Sequence, residues 1–173
     1  PESGKVLEIL AALASTFLAP ITPGAKYDPT PQPVAEAMLD LAEVRPGDVV
    51  YDLGCGDGRI VIAAAKRGAR GVCVDIGPKR IRQSRANAKK AGVAERIRFL
   101  QEDLLNTDSR DARVVTLFLS PELSNALQPK LQKLKPGSRV VAHWYPVGDW
   151  KPEKVVKIRG PWGRERTLFL WKL

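Results

Sequence analysis

The residues with chemistry in this 173-residue chain gather in one short stretch, Asp52-Leu53-Gly54-Cys55-Gly56-Asp57-Gly58. Three glycines stand at alternate positions, with Asp52 ahead of them and Asp57 between the last two. Glycine is needed where the backbone takes a positive φ or a ligand comes close. A G-x-G-x-x-G fingerprint would cradle a pyrophosphate, but Arg59 stands where its last glycine belongs. Carboxylates repel a pyrophosphate and attract a cation. The stretch is therefore set up for a cationic amino-acid moiety. Further acids follow at Asp75, about twenty residues beyond Gly54 and suited to ribose hydroxyls, and at Asp103, a candidate for an adenine amine.

S-adenosylmethionine (SAM) carries an ammonium and a sulfonium and no phosphate, so it suits this loop better than NAD or ATP. Asp52, Gly54, Gly56, Asp75 and Asp103 are the candidate cofactor residues. A structural glycine turn in another α/β protein is the bland alternative.

The elements around the stretch explain its position. Val49–Leu53 reads as a buried strand, and Ile60, Val61, Ala63 and Ala64 open a helical pattern. Gly71–Asp75, Ile97–Leu100, Ala112–Leu119 and Arg139–Trp144 read as further strands. Lys154–Ile158 and Arg166–Trp171 read as a closing hairpin around Gly160-Pro161-Trp162-Gly163. Strands alternating with helices predict a mainly parallel sheet with helices on both faces. Arg45-Pro46-Gly47-Asp48 and Lys135-Pro136-Gly137-Ser138 are matching helix-stop, turn and strand-start signals. They predict two strands that enter the sheet from the same edge.

Ahead of this domain, Gly4–Leu18 is mostly apolar and too short to span a bilayer, which takes about 20 residues. It is either the end of a signal or anchor segment or a helix packed on the domain or a partner. Residues 19–33 form a proline-rich loop in which Thr30 is expected to cap the next helix. The division is thus 1–33, apolar segment and proline-rich loop, and 34–173, catalytic domain. Val34, Ala37, Met38, Leu41 and Val44 form a core stripe.

Hydrophobic residues make up 44% of the chain, enough for one core, and the net charge is +9, which favours acidic partners. The basic residues from Lys79 to Lys90 read first as a solvated helix face. Cys55 and Cys73 read as small apolar fillers. One histidine and two cysteines cannot build the common structural zinc sites, and no metal is expected.

The sequence from Asp52 to Gly58, followed by Asp75 and Asp103, resembles the class I SAM-dependent methyltransferases. The resemblance covers roughly residues 34–173. It implies an α/β, Rossmann-like, seven-stranded doubly wound sheet with helices on both faces and a C-terminal antiparallel hairpin. It also implies that the glycine loop holds methionine, Asp75 the ribose and Asp103 the adenine. A narrower likeness rests on Tyr27-x-Pro29-Thr30-Pro31, Val114–Leu119, Leu134–Val141 and Trp150-x-Pro152. These resemble a small group of protein-lysine methyltransferases, which includes archaeal broad-specificity enzymes and the mitochondrial enzymes that modify the ATP synthase c subunit. Asp28 stands where that group has valine, and Trp144-Tyr145 follow His143.

The expectation is N-methylation of lysine side chains on a protein, with Tyr27, Thr30 and His143 lining the acceptor site. A buried core histidine is the other reading of His143. RNA or small-molecule methylation and a non-catalytic SAM-binding role are the rival functions. Nucleic acid is disfavoured because Leu119-Ser120-Pro121-Glu122 replaces the Asn/Asp-Pro-Pro-aromatic signal of adenine and glutamine amino-methylation. Residues 6–18 are a candidate membrane contact. The expected location is the cytoplasm or a membrane face toward it, with an exported form as the alternative. Oligomeric state is not legible.

Overall fold

A computed structural model describes residues 27–160 and 163–173. The apolar segment at 6–18, with its expected membrane role, and most of the 1–33 region lie outside the described residues. Among those described, no helix is long and apolar enough to cross a membrane.

The elements run α1 (Gln32–Leu41), β1 (Val49–Leu53), α2 (Arg59–Lys66), β2 (Arg70–Asp75), α3 (Pro78–Lys90), β3 (Ile97–Gln101), β4 (Val114–Leu117), α4 (Pro121–Leu131), β5 (Arg139–His143), β6 (Lys154–Ile158) and β7 (Arg166–Lys172). The sheet has seven strands in the order β3-β2-β1-β4-β5-β7-β6. The first five pair in parallel, and β7 is antiparallel to both β5 and β6. Strand order reverses between β1 and β4. Ligands bind at the carboxyl ends of such sheets beside that switch point.

Alternation along the strands divides the core. Val50, Val114 and Val141 pack with α1 and α2 on one face. Tyr51, Val115 and Val140 pack with Leu127 and Leu131 of α4 on the other. Ile81 and Ala88 place α3 beside Cys73. Asp48 and Ser138 close matching turns onto Arg45 and Lys135 at 3.1 and 3.0 Å, each with a left-handed glycine at φ 86°. Arg139 then ties the two turns together through Asp48 at 2.6 Å, both groups nearly buried.

Three expectations are corrected. Thr30 does not cap α1: Pro31 holds the cap position and no side chain bonds there. The fourth strand is shorter than Ala112–Leu119 and stops at Leu117. Cys55 and Cys73 are not separate fillers but a disulfide, with Cα atoms 5.2 Å apart. The glycine turn folds Cys55 back over β2, because Gly54 and Cys55 both donate to the Val74 carbonyl at 2.8 and 2.9 Å.

Gly58 supplies the left-handed residue, φ 82°, that starts α2. A Cβ there would meet the buried Ser84 side chain at 2.9 Å. Gly58→Ala is expected to lower stability by roughly 2 kcal/mol or more, through αL strain and that contact. Urea unfolding of both proteins measures it; unchanged stability would mean the turn relaxes freely.

Candidate functional site

The carboxyl ends of β1, β2 and β4 open into a cavity of about 510 Å³. The glycine loop forms its floor with Gly54 at φ 88° and Gly56 at φ 55°. A Cβ at Gly54 would come within 3.1 Å of Leu119, and one at Gly56 within 2.9 Å of the Tyr27 ring. Side chains are excluded here because neighbouring groups already occupy their space.

Four carboxylates reach this cavity: Asp28, Asp52, Asp57 and Asp75. The guanidinium that lines it, Arg59, is already committed. It donates to both oxygens of Asp57 at 3.1–3.2 Å and to the Thr30 carbonyl at 2.9 Å. Burial opposes ionisation of Asp57, yet its bonds and charge interaction with Arg59 outweigh this and hold the carboxyl below its usual range.

Asp52 is buried and accepts from Thr116 Oγ1 at 2.9 Å. Burial, aided by the Asp75 and Asp57 charges and opposed by Thr116, pushes its pKa up to about 7. A buried carboxylate without a counter-cation is costly, so it favours a cation entering the cavity. Asp75 uses both oxygens to hold backbone: Gly56 N–H donates to Oδ2 at 3.0 Å and Gly77 N–H to Oδ1 at 2.9 Å. Each oxygen keeps a second acceptor site. Asp103 lies apart from the cavity lining, where Oδ1 accepts from Leu105 N–H at 2.9 Å in the turn after β3.

These features fit SAM. The glycine floor admits close backbone contact, and the excess of carboxylates matches a cationic ligand and opposes a pyrophosphate.

The three residues expected around the acceptor are placed differently from one another. Tyr27 lines the cavity where it lies on the glycine loop, with its hydroxyl accepting from Asp57 N–H at 3.2 Å and Arg80 stacked 3.5 Å from its ring centroid. Its hydroxyl therefore holds the cofactor loop. Thr30 lines the cavity and its Oγ1 pairs with His143 Nδ1 at 3.0 Å. His143 is fully buried against Phe118, ring centroids 4.1 Å apart, and is not among the lining residues. Burial, then the Arg166 charge, lowers its pKa to about 4, so the ring is neutral near pH 7. The pair fastens the proline-rich loop to β5. Tyr145, which belongs to the aromatic patch His143–Tyr145 that the sequence places at the carboxyl end of the fifth strand, lines the cavity, and so does Phe118, which sequence reasoning does not assign to the site. The place of Phe118 just past the end of β4 is the signal that could have found it.

Residues 52–154 match the family described as the ANTKMT methyltransferase domain. A protein-lysine N-methyltransferase from Saccharolobus islandicus is 45% identical over 152 residues, covering 86% of this chain and 94% of that protein. An adenine nucleotide translocase lysine N-methyltransferase from Mus musculus is 38% identical over 123 residues, covering 70% of this chain and 53% of that protein. The crystal structure of an RNA methyltransferase from Salinibacter ruber with S-adenosylhomocysteine superposes with a TM-score of 0.78. It is 46% identical, over 84% of this chain and 93% of that one.

Proposed function

Because this chain belongs to the SAM-dependent methyltransferase family of the ANTKMT domain, we propose that it methylates lysine side chains on a protein substrate. The observation that carries this reading is 45% identity to a protein-lysine N-methyltransferase across almost that enzyme's full length.

SAM supplies an activated methyl group on a sulfonium, a good leaving group for an in-line displacement. The chain then has to align the acceptor and leave its amine unprotonated. Asp52 and the glycine loop would hold the amino-acid end and Asp75 the ribose hydroxyls; Asp103, outside the cavity lining, is given the adenine amine by the family resemblance alone. Asp28 at the rim attracts the incoming lysine ammonium. Phe118 and Tyr145 present apolar faces that favour the neutral amine and also hold a methylated ammonium by cation–π attraction. Thr30 and His143 are positioning residues: they keep the loop carrying Asp28 against the sheet. Tyr27 steadies the glycine loop.

RNA is the second reading, favoured by the 46% identity to the Salinibacter RNA methyltransferase and by the +9 charge. Incubation with methyl-labelled SAM and fractionated lysate, followed by mass spectrometry, separates the two. Methyl groups are expected on lysines of protein. Label confined to RNA or small metabolites would overturn the lysine reading.

A further inference from the structure

Beside the cofactor cavity lies a recess of about 150 Å³ lined by Asp28, Phe118, Trp144, Tyr145, Arg164 and Arg166. Asp28, Phe118 and Tyr145 line both spaces, so the recess continues the acceptor side of the site. Its chemistry differs from that of the acidic cradle. Two guanidiniums, Arg164 and Arg166, each approach the Trp144 ring to 5.6 Å from its centroid.

Arg166 is the unusual member. It is 6% exposed, and its Nε has no hydrogen-bond partner among the described residues. Its sequence neighbour Glu165 is turned to Arg159 and Lys157, at 3.2 and 3.5 Å. Burying a guanidinium with a donor left unpaired is costly. Its charge is felt locally, since it is one of the causes that depress His143. The backbone around it is also held in an uncommon shape. Trp144 has φ 74°, left-handed for a bulky residue, and is kept there by its N–H donating to the Thr167 carbonyl at 2.7 Å.

We propose that this recess binds a carboxylate of the protein substrate, an aspartate or glutamate side chain near the methylated lysine. The proposal rests on the lysine reading above and adds the determinant of which lysines are chosen. A planar guanidinium matches a planar carboxylate through paired N–H donors, and the recess has room for little more than that group and its methylenes. Along the wall, acidic Asp28 is followed by basic Arg164 and Arg166. A substrate presenting lysine and then an acid is complementary to that order. A phosphate would bring a larger negative charge against Asp28.

The test uses lysine peptides with one glutamate placed one, two or three residues to either side, each with a glutamine control. Binding is measured by fluorescence anisotropy with S-adenosylhomocysteine saturating. The wild-type protein is expected to prefer glutamate by about tenfold at one spacing. In Arg166→Gln the preference should fall below about twofold. Because Arg166 is buried, Arg164→Gln at the exposed end is measured alongside and should lose about threefold of the preference.

Equal binding of every pair by the wild type overturns the proposal, as does a preference that survives both substitutions. An RNA oligonucleotide that outcompetes the peptides in wild type but not in Arg166→Gln assigns the recess to phosphate and also overturns it. Mass spectrometry of the same peptides separates the two levels. Lysines methylated equally beside glutamate or glutamine defeat the subsite alone, whereas no lysine methylation on any peptide or protein defeats the lysine reading itself.

Discussion

Asp75→Ala is expected to weaken SAM binding by at least about a hundredfold. Two charge-assisted hydrogen bonds to the ribose hydroxyls would contribute about 1.5–3 kcal/mol each, and about 1.4 kcal/mol is a factor of ten. The loss has a second source. Gly56 and Gly77 N–H both donate to this carboxylate, so the substitution also frees the glycine loop. Calorimetry with S-adenosylhomocysteine on both proteins measures the effect. Thermal unfolding of the ligand-free forms keeps the comparison clean, since loosening of the loop should lower the midpoint only slightly. Equal affinities would remove Asp75 from the cofactor site.

SAM affinity should also rise about tenfold between about pH 6 and pH 8, through Asp52. Its carboxyl titrates at about pH 7 in the ligand-free protein because it is buried beside Asp75 and Asp57. Below that pH it is neutral and attracts the SAM ammonium weakly. Above it the carboxylate is ready. Binding favours the deprotonated form, so at pH values below about 7 it releases a proton. The sign for folding is opposite. The folded pKa lies above the unfolded value of about 3.9, so this group's stabilisation is complete below about pH 4. It is lost as pH rises through about 7. Ligand-free protein should therefore unfold more readily at about pH 8 than at about pH 5 as far as Asp52 is concerned. Calorimetry across this range, in two buffers of different ionisation enthalpy, reads the affinity and the proton together. Asp52→Asn should flatten the profile; an unchanged slope in that variant would assign the titration elsewhere.

The cofactor half of the site is legible in the sequence because its signals are local. A buried run, an acid, alternate glycines and a helix start occupy adjacent positions, and Asp75 ends the next strand. The alternation of strands and helices and the closing hairpin follow from the same periodicities. The acceptor half is harder to read because it consists of contacts between distant segments. No spacing tells that Thr30 will meet His143 rather than cap α1, or that Cys55 will fold back onto Cys73. Its place in a motif assigns Tyr27 to the acceptor; no spacing tells that its ring, while lining the cavity, also packs on Gly56. One signal stands in plain view. Arg166 is in phase with Leu168 and Leu170, all three buried along β7, and a cation on the apolar face of a strand demands a reason.

The Thr30–His143 bond spans 113 positions, and that separation sets an order of events on the ribosome. Once β1, β2 and β4 have emerged, the chain already contains the glycine loop, Asp52 and Asp75. The proline-rich loop, though made earlier, meets at first only the glycine loop and its helices, through Tyr27 and the Thr30 carbonyl; the Thr30 side chain has no partner until β5 is synthesised, and Arg166 arrives only with the last strand. Domains fold as they are synthesised, and distant contacts form late because loop closure precedes any gain from them. The nascent enzyme thus acquires a seat for its methyl donor well before the wall against which an acceptor is aligned, and target selection is the last property it gains.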